Sequence, residues 1–327
     1  MPVTYYLKII IFSMVVTLHD NSMSVRGTTV ALYDYAYYLK HTYNYTCNIL
    51  YNNTHPLNNK DVIGKFNKEF LTESYNNKDQ IDSILSKNKS DYFFAIKGGR
   101  QDGVISTVCK NLIMAVGICS SSDAHGDKYA FCSDWLHRAS GSFADVVPHM
   151  INLPDVSEDL RLELGIPSDA IVYGRSGGTE TFDLFFVRDA IQEIVDLKSN
   201  LYFLFQNTDK FINHPRVIFL PPNPDMVYKV KFINTCDACL HARQVGESFG
   251  LVCGEFSARN KPVITFFNSP ERNHIEVLGN KGIFYSNKEE IKNILLSFTP
   301  DKNVDWNCYR KYYSQPVMNK FVDFYLK

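Results

Sequence analysis

The chain has 327 residues, about twice the usual size of one compact unit, so two domains or one large α/β domain are expected and a disulfide-stapled mini-protein is excluded. With 34 Lys and Arg against 35 Asp and Glu the formal charge is −1, which removes the electrostatic argument for a broad nucleic-acid or anionic-membrane surface and leaves binding of charged partners to local sites. A hydrophobic share of 45%, with 14% aromatic and 21% charged residues, supplies a large core and excludes disorder over most of the chain.

In chain order, the run Lys8-Ile9-Ile10-Ile11-Phe12-Ser13-Met14-Val15-Val16 has the apolar density of a signal-peptide core. Its basic flank is thin, no small-x-small cleavage site follows, and it is shorter than the roughly 18–20 residues a membrane helix needs. Residues 8–16 are therefore expected to form a strand, and no transmembrane segment is expected elsewhere. Short apolar runs then alternate with helical patterns, the α/β signature. Strands are expected at 46–51, 91–97 and 112–117, with short edge strands at 70–74 and 144–148, and helices at 28–40, 60–66 and 78–85.

The proline-bounded segment 148–154, followed by the capping pattern Ser157-Glu158-Asp159-Leu160, reads as a linker into a helix and sets a domain boundary after residue 153. A fresh series follows to residue 304: strands at 171–173, 201–206, 217–220, 238–241, 263–267 and 283–285, and helices at 182–197, 225–233, 250–259 and 288–296. Residues 305–327 are aromatic and helical in period, with Trp306, Tyr309, Tyr312, Tyr313, Phe321 and Phe324 needing burial. The pattern alone fits packing on either domain or across both; packing back on the first is the expectation adopted. The eight cysteines are scattered and read as reduced thiols of a cytoplasmic protein. Cys236-Asp237-Ala238-Cys239 stands without a second pair, so no zinc site is expected there.

Chemistry concentrates in residues 241–264, His241-Ala242-Arg243-Gln244-Val245-Gly246-Glu247-Ser248-Phe249-Gly250-Leu251 onward to Glu255, Pro262 and Ile264. A strand ends, a glycine-bearing loop follows and a helix starts near Gly250. Gly246 and Gly250 let backbone approach a ligand, and the free N–H groups of the first helical turn offer a phosphate seat. Glu247 ahead of the helix and Glu255 within it can address one elongated ligand, which favours a sugar nucleotide over a bare phosphate. A second strand-turn-helix, Tyr173-Gly174-Arg175-Ser176-Gly177-Gly178-Thr179-Glu180, brings another glycine-rich turn. No carboxylate pair on a strand-end loop and no His/Cys set has metal-ligand spacing, so no metal is expected.

The two glutamates separated by seven residues, with Ser248-Phe249-Gly250-Leu251 between them and Lys261-Pro262-Val263-Ile264 beyond, resemble the donor-binding motif of family-4 retaining glycosyltransferases. The resemblance covers roughly residues 170–296; residues 232–237 and 241–243 are also similar to glycosyltransferases encoded by large DNA viruses. It implies an α/β chain of GT-B fold, two Rossmann-like domains facing a cleft. Residues 1–153 would be the acceptor side and 154–304 the nucleotide-sugar side. It implies no cofactor: a nucleoside-diphosphate sugar, of UDP or GDP type, is the donor substrate, and a glycan or other hydroxyl is the acceptor.

Residue by residue, Glu247 matches the glutamate that contacts the transferred sugar. The backbone of Ser248, Phe249, Gly250 and Leu251 matches the turn holding sugar and diphosphate, and Glu255 matches the glutamate on the ribose hydroxyls. Gly174 and Arg175 match the first donor-side turn, where an arginine and a lysine five residues on neutralise the departing diphosphate. Here the fifth position is Glu180, so Arg243, with Lys210 behind it, is the expected substitute cation. Leu220, in segment 216–222, matches the strand end that frames the base. Gly27 occupies the place of the glycine-rich loop of the first domain, His125 that of a cleft histidine, and Lys97-Gly98-Gly99-Arg100 is an acceptor-loop candidate. The leading expectation is a retaining transferase. The alternatives are a catalytically silent GT-B scaffold, consistent with the missing lysine, and a sugar-nucleotide epimerase.

Overall fold

The computed structural model describes residues 14–327, so the part of the expected first strand at residues 8–13 lies outside the described residues. The first half runs β1 (Val15–Asp20), α1 (Gly27–His41), β2 (Thr46–Asn52), α2 (Lys60–Asn67), β3 (Leu71–Tyr75), α3 (Ile81–Lys87), β4 (Tyr92–Lys97), β5 (Lys110–Ala115), β6 (Lys128–Phe131), α4 (Asp134–Ala139) and β7 (Asp145–Val146). Its strands form one parallel sheet in the order β3-β2-β1-β4-β5-β6-β7. Val16 of β1 stands opposite Cys47 on one side and Tyr92 on the other. Strand order reverses there, which opens a crevice at the carboxyl ends of β1 and β4. All six residues of β4 are buried, as expected of a parallel strand covered on both faces.

The second half runs β8 (Ile171–Ser176), α5 (Phe185–Ile194), β9 (Leu201–Gln206), β10 (Val217–Leu220), α6 (Met226–Thr235), β11 (Ala238–His241), β12 (Gly246–Glu247), α7 (Leu251–Ala258), β13 (Val263–Phe266), β14 (Glu271–Arg272), α8 (Asn273–Leu278), β15 (Ile283–Tyr285) and α9 (Lys288–Ser297). Six strands pair in parallel in the order β10-β9-β8-β11-β13-β15, again with a reversal, between β8 and β11. A separate two-residue ladder joins β12 to β14. Helix starts follow local chemistry: the Asp225 carboxylate accepts from the N–H groups of Val227 and Tyr228 at α6, and Asn287 caps α9.

Several elements depart from expectation, α8 and the β12–β14 ladder among them. The helix expected after Ser157 is a turn at residues 160–165. There the Leu160 N–H donates to Thr235 Oγ1 at 2.8 Å and Arg161 pairs with Asp237 at 2.9 Å, so contacts with the end of α6 replace helical ones. The β6–α4 pair was not expected, because β6 has only four residues; α4 begins where Ser133 Oγ accepts from the Leu136 N–H. Beyond α9 the chain forms α10 (Ser314–Phe321), extended by one wider turn to Leu326. Phe321 packs on Tyr35 and Phe94 of the first half, and Tyr325 donates to the Ile113 carbonyl. All eight cysteines are free thiols. Among the described residues no helix is long and apolar enough to cross a membrane.

Candidate functional site

The start of α7 organises the site. Gly250, the residue before the helix, has φ of +90° and ψ of 56°, and a Cβ there would stand 2.9 Å from His274 Cβ. Only glycine takes this backbone without strain, and the turn leaves the first amides of α7 without a side-chain cap. Across the cleft, a Cβ on Gly27 would lie 2.9 Å from Leu251 Cδ1, so the starts of α1 and α7 meet. Neither first turn carries an acidic side chain. Between them lies a cavity of about 420 Å³, lined from the first half by Arg26, Gly27, Thr28 and His149 and from the second by Arg175, Glu180, Lys229, Arg243, Glu247 to Val252, Glu255 and Glu271.

Glu247 ends β12, where pairing with Arg272 of β14 fixes its backbone. Its Oε1 lies 3.2 Å from His241 Nε2 and its Oε2 accepts from Arg243 Nη1 at 3.0 Å. Burial pushes this carboxyl up, but the His241 bond and the Arg243 charge outweigh it and hold the group at about 2. His241 is in turn fixed by Thr265 Oγ1, 2.8 Å from Nδ1. Glu271, nearby on β14, is raised by its own burial against the pull of Arg243.

Glu255 is only 3% exposed. Its Oε1 accepts from Lys229 Nζ of α6 at 2.5 Å, while Oε2 is buried without a hydrogen-bond partner. Ser248, Phe249, Gly250 and Leu251 line the cavity from their place at the start of α7. The Ser248 carbonyl accepts from Ser133 Oγ of the first half, and the Phe249 carbonyl from Asn273 Nδ2 at 2.7 Å.

Arg175 reaches the cavity floor but is 4% exposed, and its terminal nitrogens donate to neutral oxygens of the two turns beside it: Asn207 O at 3.0 Å, Thr181 Oγ1 at 2.6 Å, Thr208 Oγ1 and the Gly178 carbonyl. Burial lowers its guanidinium to about 10. Glu180, in the place where the resemblance led to a lysine, pairs with Arg26 of the first half. Arg243 lines the cavity, whereas Lys210 bonds Asn213 at 2.9 Å and does not.

Three further expected residues lie off the cavity, and so does the acceptor-loop candidate at residues 97–100. His125 donates from Nδ1 to the Asp123 carbonyl at 2.8 Å and accepts at Nε2 from Lys97 at 2.8 Å, in a cluster that also holds Asp102 and the Val104 carbonyl. Gly174 serves packing, since a Cβ there would meet Cys236 Sγ at 2.2 Å. Leu220 uses its carbonyl to accept from the Asn207 N–H at 3.0 Å; the residues just after it, Pro222 to Pro224, line a smaller adjoining cavity. Arg26, His149, Lys229 and Glu271 line the cavity without having been singled out from sequence, because only the fold brings them to it; His241 stood in the stretch that was. Among the described residues no group of three or more His, Cys, Asp or Glu side chains has a metal-holding arrangement.

No protein-family model and no curated protein matches the chain. Solved structures do. A glycosyltransferase from Rickettsia africae is 14% identical with a TM-score of 0.68, over 96% of this chain and 98% of that one. HepE from Anabaena, in complex with UDP and glucose, is 13% identical with a TM-score of 0.70, over 95% and 98%. Sucrose-phosphate synthase from Thermosynechococcus elongatus is 12% identical with a TM-score of 0.67, over 96% and 98%. At such identities the likeness carries the architecture. The fold is GT-B: two Rossmann-type α/β halves facing a cleft.

Proposed function

We propose that the chain is a retaining glycosyltransferase of the family-4 type, transferring a sugar from a nucleoside-diphosphate sugar to a hydroxyl of a glycan or similar acceptor. The observation that carries this reading is the buried Glu255, which lines the cavity and whose Oε2 has no hydrogen-bond partner. An orphaned buried acceptor is costly, and a ribose diol supplies the missing donor as a short charge-assisted bond. Glu247, ionised and oriented by His241 and Arg243, then takes hydroxyls of the transferred sugar.

The uncapped amides at the start of α7, with the backbone of Ser248 to Leu251, receive the diphosphate between two helix N-termini. As the bond from the anomeric carbon to the diphosphate oxygen breaks, charge grows on that oxygen and these fixed dipoles stabilise it without reorganising. The acceptor oxygen bonds to the anomeric carbon on the same face, its proton passes to the departing diphosphate, and no protein base is needed. UDP-sugars are the first donors to try, because the similar HepE structure holds UDP.

Incubation with a panel of UDP- and GDP-sugars, followed by detection of released nucleotide, tests the reading. Wild-type protein is expected to hydrolyse one donor slowly without acceptor. Glu247→Ala should lower that rate by about a hundredfold or more, and Glu255→Ala should chiefly weaken donor binding. Nucleotide binding without turnover across the panel would favour a silent scaffold, and wild-type rates in both variants would refute the assignment.

A further inference from the structure

At the edge of the cavity an ion pair crosses from one half to the other. Arg26, immediately before α1 in the first half, pairs with Glu180, in the turn after β8 in the second. Their side chains are 46% and 59% exposed, so the pair is worth little and is readily exchanged. The other cations of the cavity are not free in this way. Arg243 and Lys229 hold Glu247 and Glu255, whose side chains are 18% and 4% exposed, and taking either cation away strands a carboxylate out of water. Arg175 is tied to the carbonyls and hydroxyls of two turns, and moving it would unmake both. Glu180, released by Arg26, simply turns to solvent. Arg26 also stands beside the uncapped first turn of α1, where an anion already gains from the helix dipole.

We propose that Arg26 is the exchangeable phosphate-binding side chain of this cleft: it leaves Glu180 for the diphosphate of an incoming ligand, and Glu180 is the competing anion that holds it until then. The identity of the ligand rests on the donor reading above; the anion site itself does not. Binding would draw a first-half cation onto a ligand seated mainly in the second half. The turn containing Glu180 thereby limits affinity.

The two partners of a purely structural pair would change binding in the same direction when removed. Exchange of Arg26 demands opposite signs. Isothermal titration with UDP, uridine and inorganic pyrophosphate separates these. Arg26→Gln is expected to weaken UDP and pyrophosphate by about tenfold and leave uridine unchanged, because only a charge-assisted bond to phosphate is lost. Glu180→Gln is expected to tighten both phosphorylated ligands about two- to threefold, the scale of an exposed ion pair. Arg26→Lys, keeping the charge without the planar fork, should fall between wild type and Arg26→Gln.

Equal UDP and pyrophosphate affinities in wild type and Arg26→Gln, or weakening by both Arg26→Gln and Glu180→Gln, would overturn the proposal while leaving the donor reading intact. Arg26-dependent pyrophosphate binding without UDP binding would do the reverse. Binding of neither by the wild-type protein would overturn both.

Discussion

Glu247 is a carboxylate over which two forces compete. Burial alone would neutralise it; His241 and Arg243 keep it charged, with its titration held down at about 2 against an ordinary 4.5. A depressed carboxyl contributes stability that is present above the unfolded value of 4.5 and is lost as pH falls through about 2. Arg243→Met removes one of the two restraints and leaves the His241 bond, so the variant should still fold near neutral pH, at a cost in stability because the buried carboxylate has lost a partner. The carboxyl then titrates higher, and acid unfolding followed by circular dichroism should move up by about one pH unit. An unchanged acid midpoint would mean that Arg243 does not hold this charge. The same contrast explains what was legible at this scale. Glu247 and Glu255 could be read because their spacing around Gly250 is local. Lys229 and Arg26 could not, since their partners stand 26 and 154 positions away and only the packed fold joins them.

At the scale of elements, the parallel strands were legible because burial on both faces leaves continuous apolar runs, as in β4 and β9. The short β6 and the α4 turn carry too few residues for a period to show, and the segment after Ser157 carries a capping signal that contacts with Thr235 and Asp237 override. Helix α1 hides a different feature: Asp34 is 4% exposed and accepts a 3.0 Å bond from Asn152 Nδ2 in the segment joining the two sheets. Burial raises its carboxyl to about 7 from 3.8, against the Asn152 bond and the Lys65 and Lys229 charges and together with the Glu255 charge. A raised group contributes stability that is complete below the unfolded value and is lost as pH rises through the folded one. Wild-type stability should therefore fall between about pH 4 and pH 7 by up to about 1.4 kcal/mol per pH unit. Asp34→Asn keeps the acceptor and cannot ionise. Its melting temperature should match wild type near pH 4 and exceed it at pH 8; equal melting temperatures at both would show that Asp34 ionises without cost.

For the whole molecule, the last segment ties the two sheets together. After α9 the chain passes beneath α7, where Ser257 Oγ donates to the Trp306 carbonyl at 2.8 Å and accepts from the Cys308 N–H at 2.9 Å. Tyr309 and Tyr312 then meet Phe249 edge-on, bracing the turn that shapes the cavity. The Ile151 N–H donates to the Tyr312 carbonyl at 2.7 Å as the chain returns toward the first sheet. There Phe321 is fully buried, its ring 4.8 Å from that of Tyr35 and 5.0 Å from that of Phe94. Phe321→Ala leaves a cavity among these rings and should cost roughly 3–5 kcal/mol, read as a lowered melting temperature. Phe321 does not line the functional cavity, so stabilisation by ligand should survive. UDP at a hundredfold excess over its Kd adds about 2.7 kcal/mol to any folded state that binds it, and the variant should gain as much as wild type. Loss of that gain together with the fall in melting temperature would mean that the tail shapes the binding site as well as the core, with Tyr309 and Tyr312 as the route from Phe321 to Phe249.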